Sequence, residues 1–310
     1  MSVAFVFPGQ GSQSVGMLRG FEDLPIVVET VQEASEALGE DLLSLMRDGP
    51  SDALALTANT QPVMLAADVA IYRAWLAMGG AVPDFMAGHS LGEYAALVCS
   101  GALDLSDATR LVRIRARAMQ NAVAVGEGAM AAIVGLDAHR VDEACQQAAA
   151  AGQVQVANYN EPLQTVISGQ AQAVATAGEI AKSMGAKRVL PLPVSAPFHS
   201  ALMQPAALTL ASALAEIVIR EPSVSVVNND DVSIETQADS IKDALVRQAA
   251  GAVRWVETVQ LMRDKGVSTV IECGPGKVLT GLTRRIDKSL TGVQWNDASA
   301  MRAYIEAISS

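Results

Sequence analysis

Asp84-Phe85-Met86-Ala87-Gly88-His89-Ser90-Leu91-Gly92-Glu93-Tyr94-Ala95-Ala96-Leu97-Val98-Cys99 is the stretch on which the fold turns. A short apolar run from Asp84 ends at Gly88-His89-Ser90-Leu91-Gly92, and Glu93 to Cys99 has helical character. Strand, glycine-bounded turn and helix, with a serine at the tip, is the context of a nucleophile elbow, G-x-S-x-G. The sharp turn needs small residues on both sides of the serine. It lifts the hydroxyl clear of a sheet and points it at the N-terminus of the next helix. That end offers free N–H groups and a partial positive charge to a developing oxyanion. A chance glycine turn has the same letters, and the flanking strand and helix separate the two readings.

The same rhythm recurs on either side. Val3 to Phe7 is a buried-type strand stopped by Pro8-Gly9, and Val267 to Cys273 is another, followed by Gly274-Pro275-Gly276 and a helix from Lys277. Pro62 to Met78 reads as a helix with Thr60 as cap and Pro62 in its first turn, and Leu105 to Ala122 as a long helix. Repeated strand, glycine turn and helix predict an α/β fold with a mainly parallel sheet. The middle differs. Strands at Ala129–Val134, Val154–Ala157, Thr165–Ser168 and Arg188–Leu192 alternate with helices at Ala138–Ala150 and Ala171–Met184. A turn-rich Asn158 to Pro162 joins the second and third strands. The order β-α-β-β-α-β is ferredoxin-like. The expectation is a hydrolase-like large subdomain, residues 1–125 and 195–310, with a small ferredoxin-like subdomain inserted at 126–194. Asn228 to Asp239 is polar and reads as a loop.

Composition narrows the function. Among 310 residues, 50% are hydrophobic and 18% charged, which is globular. Aromatics are 4%, so aliphatic residues must build the core. A net charge of −11 argues against nucleic acid, and an anionic partner would need a local basic patch. Cys99, Cys145, Cys273, His89, His139 and His199 show no metal-ligand spacing and no disulfide framework. Met1 to Phe7 is too short for a signal or a membrane span. A cytoplasmic, monomeric protein without metal or redox cofactor is expected.

A nucleophilic serine needs a base. His89 is adjacent to Ser90 and its side chain points away, and His139 begins a polar helix that reads as surface. His199, in Ser195-Ala196-Pro197-Phe198-His199-Ser200, remains. No acidic residue between Ser90 and His199 stands in a telling context for a third member, and a backbone carbonyl is an alternative. On the Leu105 helix, Arg115 falls on the face of Leu111, Ile114, Ala118 and Ala122, with Arg110, Arg113 and Arg117 opposite on a solvated face. A buried guanidinium needs an anion, either a protein carboxylate or a substrate carboxylate held bidentately. Gly9-Gln10-Gly11-Ser12-Gln13 lacks the third glycine of a dinucleotide fingerprint, and offers instead a backbone N–H beside the elbow.

Together these pieces resemble a family. Phe7 to Gln13, Thr60-Gln61-Pro62, Gly88 to Tyr94, Arg115 with Met119-Gln120, Asn158-Tyr159-Asn160, Ser195 to His199 with Ala201-Leu202-Met203, Val227-Asn228-Asn229, Leu245 to Gln248 and Gly274 to Leu279 are similar to the malonyl-CoA:acyl carrier protein transacylases. The resemblance spans nearly the whole chain. It implies Ser90 as acyl acceptor, His199 as base, and a main-chain carbonyl near Gln248 as the histidine's partner. It implies Gln10 and Leu91 N–H groups as the oxyanion hole, and Arg115 as partner of the malonyl carboxylate. It places Gln61 and Asn160 along the cleft and makes Phe198 the malonyl-selecting residue. The implied partners are malonyl-CoA, which is substrate, and acyl carrier protein, which brings its own phosphopantetheine. Lys182, Lys187, Arg188, Lys277, Arg284, Arg285 and Lys288 are candidates for the carrier's docking patch. The competing readings are malonyl transfer in malonate decarboxylation or polyketide synthesis, a serine (thio)esterase, and a non-catalytic carrier-binding module.

Overall fold

In chain order the N-terminal part holds β1 (Ser2–Phe7), α1 (Pro25–Leu38), α2 (Leu42–Asp48), α3 (Ser51–Ala55), α4 (Thr57–Ala77), β2 (Phe85–Gly88), α5 (Gly92–Cys99) and α6 (Leu105–Asn121). The middle holds β3 (Gly128–Val134), α7 (Ala138–Gln147), β4 (Val154–Glu161), β5 (Gln164–Gln170), α8 (Ala171–Ser183) and β6 (Arg188–Pro191). The last part holds α9 (Gln204–Ala215), β7 (Ser225–Val227), α10 (Ala238–Ala250), α11 (Trp255–Asp264), β8 (Val267–Glu272), α12 (Val278–Ile286), β9 (Thr291–Gln294) and α13 (Ala298–Ser309). This is a computed structural model, and it describes residues 2–194 and 196–309. Met1, Ser195 and Ser310 lie outside the described residues, among them the expected start of the second large-subdomain segment.

Ala4, Phe5, Val6 and Phe7 are all fully buried, as befits the middle strand of a parallel sheet covered on both faces. The five strands run β7-β2-β1-β8-β9, all parallel. The chain builds outward from β1 through β2 to β7, then returns to β1's other side with β8. Ligands of such sheets bind beyond the carboxyl ends of the strands, where the order reverses. Phe7 lies opposite Gly88 in register, so the loops after β1 and β2 leave the sheet side by side. One aromatic cluster forms around Phe5: it packs edge-on to Trp75 at 5.3 Å, and Trp75 stacks on Trp295 at 4.9 Å.

The second sheet is four-stranded and antiparallel, ordered β4-β5-β3-β6. β3 and β4 are parallel with β5 between them, the split β-α-β arrangement. One local expectation fails. Asn158 to Glu161 is strand, and the turn shrinks to Pro162-Leu163. The extension is held from outside: the Tyr159 N–H donates to the Val253 carbonyl (2.9 Å), and the Val253 N–H to that of Ala157 (2.8 Å).

Two helix readings also change. α4 starts at Thr57, so Pro62 lies inside it, and Thr60 is no cap; its hydroxyl donates to the carbonyls of Leu54 (2.6 Å) and Leu56 (3.1 Å). α6 is wedged among α1, α4, α5 and α9, which widens its buried arc. Arg113 is therefore buried, bonded to Glu40 (2.5 Å) and Asn59 (3.1 Å), while Ile114 is 39% exposed. Among the described residues no helix is long and apolar enough to cross a membrane.

Candidate active site

The elbow is held shut by close approach. A Cβ on Gly88 would lie 1.8 Å from the Gly92 carbonyl carbon, and one on Gly92 would lie 2.0 Å from the Phe7 carbonyl oxygen. Ser90 at its tip has φ 53°, a left-handed value that a non-glycine residue holds only when its surroundings over-determine it. Asn229, after β7, supplies much of that constraint. Its Oδ1 accepts from the Ser90 N–H (2.6 Å) and its Nδ2 donates to the Gly88 carbonyl (2.7 Å).

His199 also has a left-handed φ, 56°, and is 4% exposed. Its Nε2 is 2.7 Å from Ser90 Oγ. Its Nδ1 lies 3.0 Å from the Gln248 carbonyl and 3.1 Å from that of Gly251. Two acceptors at Nδ1 require a proton there, which leaves the Nε2 lone pair facing the serine hydroxyl. Burial, then the charge of Arg115, pushes the imidazole down to about 3, so it is neutral at ordinary pH. His89 points away from Ser90, with Nε2 at 2.8 Å from Asn160 Oδ1 and its ring 5.4 Å from that of Trp255. His139 is exposed and 3.3 Å from Glu143.

Arg115 is 2% exposed, with its guanidinium 5.3 Å from the Tyr94 ring centroid. It donates to Gln61 Oε1 (2.8 Å), Gln248 Oε1 (2.9 Å) and Ser90 Oγ (3.1 Å). All three acceptors are neutral. Among the described residues no carboxylate stands within 4.0 Å of it. The Gln248 Nε2 donates to the Ser90 carbonyl and to Glu93 Oε2, each at 2.9 Å. Gln248 thus meets the histidine with its main chain and the arginine with its side chain.

Ser90, His199, Arg115, Gln61 and His89 line a cavity of about 130 Å³, together with Gln10, Leu91, Met119, Met130, Asn158 and Phe198. The backbone N–H groups of Gln10 and Leu91 have no hydrogen-bond acceptor among the described residues. They come from the loops after β1 and β2, which leave the sheet together. The structure brings Ser90, His199, Arg115, Gln10, Leu91, Gln61 and Phe198 to one cavity, with Gln248 behind it, bonded to Arg115. Asn160 is not among the lining residues. It braces His89, and Asn158 lines the cavity in its place, because a register shift in β4 changes which side chains face inward. Glu93, Asn229 and Gly251 were not expected. Glu93 carried the one available signal, a lone charge in an otherwise apolar helix. Among the described residues no group of three or more His, Cys, Asp or Glu is placed to hold a metal ion.

Residues 4–300 match the family described as the acyl transferase domain. The malonyl CoA-acyl carrier protein transacylase of Escherichia coli (strain K12) is 54% identical over 304 residues, 98% of each chain. The acyl-carrier-protein S-malonyltransferase of Burkholderia pseudomallei 1710b superimposes with a TM-score of 0.97 at 57% identity, covering 99% of this chain and 100% of that one. A malonyl-transacylase solved in complex with a type II PKS acyl-carrier protein gives 0.97 at 49% identity, covering 99% and 100%. The chain belongs to the acyl transferase domain family, among its malonyl-CoA:acyl carrier protein transacylases.

Proposed function

We propose that this protein moves malonyl from coenzyme A to the phosphopantetheine thiol of acyl carrier protein, through a malonyl ester on Ser90, and so supplies fatty acid synthesis. Ser90 Oγ attacks the thioester carbonyl while its proton passes to His199 Nε2. The oxyanion forms against the free N–H groups of Gln10 and Leu91, where losing one donor costs roughly 10²–10³ in rate. Collapse breaks the C–S bond, and coenzyme A leaves with the proton from Nε2. The carrier's thiol then gives its proton to His199 and attacks the ester, and Ser90 leaves and takes the proton back. The carbonyls of Gln248 and Gly251 orient the imidazole where a triad would use a carboxylate. The route needs neither a metal nor a redox cofactor.

The observation that carries the reading is Arg115: a buried guanidinium at the reacting hydroxyl, bonded only to neutral acceptors. An unanswered buried cation is costly, and a malonyl carboxylate answers it. It also offsets the charge that depresses His199, making the base stronger once substrate is bound. A simple ester or thioester has no such group, which disfavours a hydrolase. The test compares malonyl-CoA with acetyl-CoA on folded Arg115→Ala. A charge-assisted contact is worth about 1.5–3 kcal/mol, so kcat/KM for malonyl falls ~10–150-fold while acetyl changes little. Equal losses for the two substrates overturn the clamp.

Residues 126–194 serve in this reading as a subdomain that closes the cavity over the elbow, with Met130 and Asn158 on its inner side. For the carrier, exposed Lys277, Arg284, Arg285 and Lys288 on and beside α12 form the docking patch. Lys277 and Lys288 have no ion-pair partner among the described residues, whereas Arg285 pairs with Glu161 and Lys182 with Glu179. A cytoplasmic location completes the reading, consistent with three free thiols.

A further inference from the structure

No step above uses Glu93. It lies in the first turn of α5, three residues after Ser90, and its side chain is buried beneath the elbow, 2% exposed. Its Oε2 accepts from the Asn229 N–H and from Gln248 Nε2, both at 2.9 Å. An amide has a donor end and an acceptor end. By taking the NH₂ of Gln248, Glu93 turns the amide oxygen toward Arg115; the reversed amide would set its N–H groups against the guanidinium. Arg115 acts on Glu93 by charge, without a contact within 4.0 Å.

We propose that Glu93 is a positioning residue that couples malonyl loading to uptake of one proton: neutral, it orients Gln248 and leaves the Arg115 charge to the substrate carboxylate; ionised, it competes for that charge from beneath. The coupling rests on the malonyl reading, because it requires an anionic acyl group. Burial raises Glu93 to about 7, so both charge states are populated near neutrality. The other ionisable groups facing it are Arg115 from α6, Tyr94 beside it on α5, and Asp230 and Glu235 from the segment after β7. Asp230 is paired with Arg247, and Tyr94 is pushed up to about 12. His199, beyond Gln248, is depressed to about 3. Of Tyr94, His199 and Glu93, only Glu93 titrates between pH 6 and 8.5. By reciprocity, a bound malonyl carboxylate strengthens proton binding at Glu93, and solvent supplies that proton.

The experiment measures single-turnover acylation of the full chain by malonyl-CoA and by acetyl-CoA from about pH 6 to about pH 8.5, in wild type and in Glu93→Gln. The ratio of the two substrates cancels titrations they share. In wild type the malonyl-to-acetyl ratio falls at least about five-fold as pH rises, the low end of ordinary coupling. In Glu93→Gln, which keeps an acceptor for Gln248 without the charge, the ratio stays flat. A flat ratio in wild type, or the same fall in both proteins, overturns the proposal. No malonyl loading at any pH overturns the functional reading and this proposal with it. Should Glu93→Gln fail to fold, an indicator dye decides on wild type alone near pH 7. Proton uptake with malonyl but not with acetyl supports the coupling, and no uptake overturns it.

Discussion

Asp68 lies fully buried on α4, and neither of its carboxylate oxygens has a hydrogen-bond partner among the described residues. It sits under the loops after β1 and β8, so close that a Cβ on Gly274 would be 2.2 Å from its Oδ1. Burial, then the charge of Glu272, raises its pKa well above the usual carboxylate value. A raised folded pKa contributes stability at low pH that is lost as pH climbs. Asp68→Asn is therefore expected to stabilise the protein by roughly 1–3 kcal/mol at about pH 8 and far less near pH 4, read by denaturant unfolding at both pH values. A variant that gains no more at the higher pH than at the lower would show that burial does not raise this carboxyl. His199 carries the opposite sign. Its depressed pKa keeps it neutral well below the ordinary histidine range. Acylation by acetyl-CoA should accordingly stay level from about pH 7 down to about pH 5. A fall with a midpoint near 6.5 would mean that the imidazole is not buried as described.

The elbow is the element on which the site depends, and it tolerates no side chain at its second glycine. In Gly92→Ala the added Cβ would lie 2.0 Å from the Phe7 carbonyl, so β1 and the start of α5 must separate. The expected cost is at least ~1–3 kcal/mol of stability together with loss of rapid acylation, measured by denaturant melts and by intact-mass kinetics. Native stability with native acylation would show that the two loops have slack. This element was readable in the sequence because its signals are local: an apolar run, two glycines around Ser90, and an apolar helix. The β-α-β-β-α-β alternation was readable for the same reason. The errors came where neighbours distant in sequence decide. Arg113 is buried because Glu40 and Asn59 meet it from other elements, and a helical wheel carries no knowledge of how many sides of α6 are packed. Asn160 turns to His89 and Asn158 lines the cavity where β4 shifts register, which strand alternation does not foresee. Asn229 reaches Ser90 across 139 residues, and no spacing rule announces such a contact.

At the scale of the whole molecule the chain is strongly acidic, −11, yet the proposed partner brings a thiol that must enter beside Ser90. Attraction must then be local. The loop carrying Lys277 borders the loop of Gln10, since a Cβ on neighbouring Gly276 would lie 3.4 Å from Ser12 Cβ. Lys277→Glu combined with Lys288→Glu is expected to raise KM for the carrier about 10-fold at low salt, less at high salt, and to leave malonyl loading from coenzyme A unchanged. An unchanged carrier KM would move docking to another face. The most direct measurement of the central claim follows the malonyl group itself. The enzyme is mixed with radiolabelled malonyl-CoA, and holo-acyl carrier protein is then added. One label per enzyme is expected in the first stage, none on Ser90→Ala, and transfer of that label to the carrier in the second. Label appearing as free malonate without carrier, or reaching the carrier through Ser90→Ala, would contradict it.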